Sequence, residues 1–109
     1  MGYKGTPVVL HNYLCLPNAT PIAVGSQAWF AWLAIASSFY YMHPSTYRLS
    51  VRKEKRRNTS YWYAYLKVDS KLHNAYLGLA PALTAQRLET VTQLLLHRYY
   101  ATRSPIQPE

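Results

Sequence analysis

The stretch Tyr47–Gly78, YRLSVRKEKRRNTSYWYAYLKVDSKLHNAYLG, decides how the rest of the chain is read. It holds eight of the twelve basic residues and five of the eleven tyrosines. Tyr47, Leu49 and Val51 alternate with Arg48, Ser50 and Arg52, the period-two pattern of a strand with one face buried and one in water. Arg56, Arg57, Asn58 and Thr59 follow as a polar turn. From Tyr61 to Val68 the alternation puts Trp62, Ala64, Leu66 and Val68 on one face, and Tyr61, Tyr63, Tyr65 and Lys67 on the other. Asp69-Ser70 separates this run from Lys71–Leu77, which predicts a hairpin. In it Val68 opposes Lys71, Leu66 opposes His73, Ala64 opposes Ala75 and Trp62 opposes Leu77. On the second face Lys67 opposes Leu72, Tyr65 opposes Asn74 and Tyr63 opposes Tyr76.

Upstream, Pro21–Met42 carries no formal charge, and Ala28–Ala36 is continuously apolar. A membrane span is the alternative to weigh, because about 20 apolar residues suffice to cross and a basic run follows. The uninterrupted apolar segment is shorter than that, and Ser26 stands where an N-cap would. A soluble helix from Gln27 to about Ser37 is therefore expected, with Trp29, Trp32, Leu33 and Ala36 on one stripe. Phe39–Met42 reads as a first strand closed by the turn His43-Pro44-Ser45. Residues 1–25, punctuated by Gly2, Gly5, Pro7, Pro17, Pro21 and Gly25, read as a loosely structured arm to which Val8–Leu10 could add a short edge strand. No signal peptide stands out.

Downstream, Thr84 is a natural N-cap, and Leu88, Val91, Leu95 and Tyr99 recur at spacings of three and four. That pattern predicts a helix from Ala85 to about Tyr100, with Trp62 and Leu66 beneath it. Pro105 and Pro108 mark a tail. The expected fold is α+β: a short antiparallel sheet of three to four strands packed against a C-terminal helix, with an additional N-terminal helix. Residues 1–25 would be the arm, 26–100 the single domain and 101–109 the tail.

At 109 residues, half of them apolar, the chain suits one small domain. Its formal charge of +8 favours an anionic partner, either nucleic acid or an acidic membrane surface. The single Cys15 cannot form an intramolecular disulfide, and His11, His43, His73 and His97 lack zinc spacing. A reducing, cytoplasmic setting without metal or cofactor is the simpler reading. Glu54, Asp69, Glu89 and Glu109 are the only carboxylates. None stands beside a His at a meaningful spacing, and no phosphate loop, nucleophile elbow or metalloprotease motif occurs, so an enzyme is not expected.

Six cations fall within the ten residues Arg48–Arg57. An edge strand charged against aggregation explains two or three of them. The nucleic-acid reading assigns Arg48, Arg52, Lys53, Lys55, Arg56 and Arg57, with Lys67 and Lys71, to phosphates, and Tyr63, Tyr65, His73 and Asn74 to bases or sugars. The tyrosines could instead form a second hydrophobic layer under the N-terminal helix. The expected function is that of a small regulator or accessory protein of gene expression or of a mobile element. It would bind nucleic acid, with double-stranded DNA favoured over RNA. The rival is a protein-interaction subunit that docks on a larger nucleoprotein assembly through Trp29, Trp32 and the tyrosines.

The motifs AWFAWL (Ala28–Leu33), SSF (Ser37–Phe39), VRKEKRR (Val51–Arg57), YWYAY (Tyr61–Tyr65), KLHNAYLG (Lys71–Gly78) and LTAQRLETV (Leu83–Val91) together resemble a small bacterial module. That module occurs in short stand-alone proteins and at the front of some LuxR-type transcriptional regulators. The resemblance covers roughly Ser26–Leu96 and implies a role in gene regulation. The sheet-plus-helix pattern is also similar to the arm-type DNA-binding domains of phage integrases and to plant AP2 domains, a likeness of architecture alone. The chain departs from the module at Leu79, where a Lys would follow the YLG turn, and at Asp69-Ser70, where a Gly is usual.

Overall fold

A computed structural model describes residues 6–103, with side chains through Ala101. Seven strands form one mixed sheet: β1 (Val8–Leu10), β2 (Tyr13–Cys15), β3 (Ile22–Ala23), β4 (Ser38–Met42), β5 (Arg48–Arg56), β6 (Thr59–Val68) and β7 (Lys71–Gly78). Helix α1 (Gln27–Ile35) lies between β3 and β4. Helix α2 (Ala85–Arg103) follows a short 3-10 turn at Ala80–Ala82. The strand order is β3-β2-β1-β4-β5-β6-β7, antiparallel throughout except for the parallel pair β1–β4.

This corrects the expected fold class. The sheet has seven strands rather than three or four, and α1 is not an N-terminal helix, because three strands precede it. Residues 8–23, read as an arm, supply those strands. Their signal is weak because they are two or three residues long and are specified by partners far away in sequence: Val8, Val9 and Leu10 pair with Tyr40, Tyr41 and Met42. The β1–β2 hairpin turns on His11 and Asn12, both at positive φ (52° and 64°), the conformation that a two-residue turn between twisted strands requires. The tail expected at 101–109 is in part helical, since α2 runs to Arg103; the remainder lies outside the described residues.

The local signals that placed the other elements have visible causes. Ser26 Oγ accepts the Trp29 N–H at 3.2 Å and starts α1, and Thr84 Oγ1 accepts the Arg87 N–H at 3.1 Å and starts α2. The β6–β7 hairpin turns on Asp69 and Ser70 at φ 54° and 66°, with Val68 opposite Lys71 and the ladder following through Tyr63 opposite Tyr76. One pair differs: a register shift between Trp62 and Tyr63 sets Trp62 opposite Gly78, not Leu77. Gly78 sits at φ 127°, and a Cβ there would stand 2.9 Å from the Ala82 Cβ, so only glycine permits this approach.

Every fully buried strand residue lies on one face: Val9, Leu14, Phe39, Leu49, Val51, Trp62, Ala64, Leu66 and Leu77. Leu88, Val91 and Leu95 of α2 and Trp29 and Leu33 of α1 complete that core. The expected place of Trp62 is beneath α2. Its ring neighbour is Phe39 at 5.7 Å, which in turn packs against Trp29 and Trp32 of α1, so Trp62 joins an aromatic cluster that reaches the shorter helix. Among the described residues no helix is long and apolar enough to cross a membrane.

Candidate nucleic-acid interface

Among the described residues, no helix packs on the opposite face of the sheet. Because successive strand residues point to opposite sides, this open face collects Tyr40 from β4, Arg48, Ser50, Arg52, Glu54 and Arg56 from β5, Tyr61, Tyr63, Tyr65 and Lys67 from β6, and Leu72, Asn74 and Tyr76 from β7. Cations and rings interleave there. The guanidinium of Arg48 lies 4.2 Å from the Tyr40 ring centre, that of Arg52 4.9 Å from Tyr65, and that of Arg56 5.3 Å from Tyr63. Such contacts contribute about 0.5–1 kcal/mol each at exposed sites, and they hold the cations extended over the sheet. Tyr76, 46 % exposed, sits 5.4 Å from Tyr63 and 6.0 Å from Tyr61.

Glu54 is the carboxylate within this ladder. It accepts the Tyr65 hydroxyl and pairs with Arg56 at 3.1 Å. The hydrogen bond from Tyr65, followed by the hydrogen bond and charge of Arg56, holds the Glu54 carboxyl below its usual range. The same contact pushes the Tyr65 phenol up.

The twelve residues singled out in the sequence do not share one surface. Arg48, Arg52, Arg56, Tyr63, Tyr65, Lys67 and Asn74 stand on the open face, and Arg57 occupies the β5–β6 turn at φ 59°. Lys53, Lys55, Lys71 and His73 alternate to the helix side. Lys53 donates to the Ala34 carbonyl at 3.3 Å and lies 5.4 Å from the Trp62 ring, which makes it a brace for α1. His73 is half-buried against Tyr99, ring centres 6.4 Å apart, with its Nε2 buried and unpaired among the described residues. His73 thus sits on the helix side with Leu66 and not among the residues of the open face.

Sequence reading missed Arg87 and Arg98. Strand β7 is a sheet edge, and α2 lays these two side chains along it. Arg87 donates to the carbonyls of Leu77 (3.1 Å) and Tyr76 (3.0 Å), and Arg98 to that of Asn74 (2.6 Å). Cations placed in this way satisfy edge carbonyls that would otherwise template another strand. Also missed was His43, whose Nδ1 accepts the Ser45 N–H at 3.1 Å and lies 2.7 Å from the Ser45 Oγ. Its Nε2 meets Glu89 at 2.8 Å and so ties the β4–β5 turn to α2. Forty-six residues separate that pair, and no local spacing could have announced it.

Compared with known proteins, the chain matches no family model, no curated protein and no solved structure. The likeness to the bacterial module accordingly rests on the quoted motifs.

Proposed function

We propose that the protein is a small cytoplasmic nucleic-acid-binding protein that lays the open face of its sheet against duplex DNA, serving as a regulator or accessory factor of gene expression or of a mobile element. The observation that carries this reading is the row of Arg48, Arg52 and Arg56 stacked on Tyr40, Tyr65 and Tyr63 across a face that neither helix of the described residues covers. Guanidinium groups present forked donors that match phosphate oxygens. At about 3.3 Å per residue, the three arginines stand roughly 13 Å apart along β5, far enough to engage separate phosphates. Their stacking also bears on the mode of binding. Guanidinium already covers the rings of Tyr40, Tyr63 and Tyr65, which favours phosphate contact on a duplex over base stacking at those three positions.

The rival protein-docking mode loses its tryptophans, since Trp29 is fully buried and Trp32 packs partly buried against the core. The test is an anisotropy titration of a labelled mixed-sequence duplex from low to moderate salt. Binding that weakens steeply with salt, and that Arg48→Ala/Arg52→Ala/Arg56→Ala abolishes, supports the reading. No binding of duplex or single strand by the unmodified protein at low salt would end it.

A further inference from the structure

One part of the open face is built differently from the rest. Strand β5 pairs with β4 as far as Arg48 opposite Met42, and β6 pairs with β7 as far as Val68 opposite Lys71. The ladder between β5 and β6 nevertheless stops at Ser50 opposite Tyr65. No pair joins Leu49 to Leu66 or Arg48 to Lys67, so the two central strands part at this end of the sheet. Between them opens a groove of ≈ 520 Å³, a volume within the usual range of ligand sites. It is lined by Arg48, Arg52 and Lys67, by Thr46, Ser50 and Tyr65, and at its floor and rim by apolar residues such as Leu66 and Leu72.

The charge in this groove is not self-cancelling. Arg56, four residues along β5, is paired with Glu54. Among the described residues no ion pair engages Arg48, Arg52 or Lys67. The carboxylate lining the groove is Asp69, whose Oδ2 already accepts the Tyr99 hydroxyl at 2.8 Å. Three exposed cations and one carboxylate thus line the concavity, which leaves an excess of positive charge. An apolar ligand would strip water from those cations without return, whereas phosphate oxygens accept from guanidinium, ammonium and hydroxyl groups together.

We propose that the groove between the parted ends of β5 and β6 is a phosphate subsite that seats the phosphodiester backbone of the bound nucleic acid, with Arg48, Arg52 and Lys67 as its cationic donors. The proposal rests on the nucleic-acid reading and locates its anchor, leaving the Glu54–Arg56 end of the face a minor contributor. Arg48→Ala/Arg52→Ala/Lys67→Ala is compared with Lys55→Ala/Lys71→Ala, which removes cations of the helix side alone. Removing three cations that each neutralise a phosphate should shrink the fall in duplex affinity between 50 and 200 mM salt by a factor of about 40. The control set should change that fall by less than about threefold.

An amide chemical-shift titration of the unmodified protein with inorganic pyrophosphate supplies a second reading that does not depend on variants folding. Shifts centred on Ser50 and Lys67 support the groove. Equal losses per cation removed from the two variants, or pyrophosphate shifts spread over the surface or absent, overturn it even where duplex binding is confirmed. Absent duplex binding with shifts confined to the groove would keep the anion site, its ligand then being a free phosphate compound, and reject the nucleic-acid reading.

Discussion

The two faces of the central sheet are made by alternate residues of the same strands and meet opposite demands. On the helix side Trp62, Ala64 and Leu66 succeed one another at zero to one per cent exposure, and the small Ala64 and Ala75 leave room for a helix to approach. On the open side Tyr61, Tyr63 and Tyr65 remain partly exposed, and arginines of the neighbouring strand, rather than a helix, shield the rings of Tyr63 and Tyr65. The first face gains stability by excluding water. The second keeps large apolar rings tolerable in water by covering them with cations whose stems pack and whose heads stay solvated. An aromatic residue in a strand is therefore no guide to burial by itself; its parity relative to the covering helix is.

The sharpest way to break this contrast is to truncate one aromatic side chain from each face. Trp62→Ala should cost about 3–5 kcal/mol in chemical denaturation, since it opens a cavity beside Phe39. That loss is a large share of the stability of so small a domain. If Trp62→Ala proves harmless while the tyrosines are indispensable to folding, the faces have been assigned the wrong way round.

Next in size is the edge where the two faces meet. Arg87→Ala together with Arg98→Ala removes three charge-assisted hydrogen bonds to β7 carbonyls. Because these groups are partly in water, a loss of about 1–2 kcal/mol is expected. Light scattering should also show concentration-dependent association as the edge is uncovered. An unchanged melt with no association would reduce both arginines to surface decoration.

Smaller still are the effects expected from the open face. Tyr63→Ala and Tyr65→Ala should each lower stability by about 1 kcal/mol or less, the worth of an exposed cation–ring contact, while weakening duplex binding more than Trp62→Phe does. Titration of each folded variant against the same duplex separates the two readouts.

The smallest effect tests the His43–Glu89 tie. Hydrogen bonding from Gln93, then from His43, holds the Glu89 carboxyl below its ordinary value of 4.5. A depressed carboxyl contributes its stability above the unfolded value and loses it as pH falls through the folded one. Glu89→Gln should therefore lower the denaturation midpoint slightly above pH 4.5, by a few tenths of a kcal/mol given its exposure. The gap to the unmodified protein should close in more acidic buffer. A gap that widens with acid would show that the pair does not hold the turn.

The sequence by itself determined what depends on neighbours within a few residues. Alternation assigned Trp62 and Tyr63 to opposite faces, Asp69-Ser70 set the turn and nearly all of its register, and Ser26 and Thr84 marked the helix starts, because side-chain period, turn geometry and capping are local physics. Alternation also held the error over Lys53, Lys55, Lys71 and His73, which parity already sent to the face of Trp62 while charge counting grouped them with Arg52. Only the tertiary structure decided the rest. Val8–Leu10, readable only as a short edge strand, lies inside the sheet between β2 and β4, and the strands at Tyr13–Cys15 and Ile22–Ala23 are too short to carry a pattern and exist through their pairing. The shift at Trp62 falls opposite Gly78, where that glycine closely approaches Ala82; the capping of the β7 edge by Arg87 and Arg98 comes from the lie of α2, and the groove from the point where β5 and β6 part. Each of these is a relation between segments brought together by packing in three dimensions, and none leaves a trace in local periodicity.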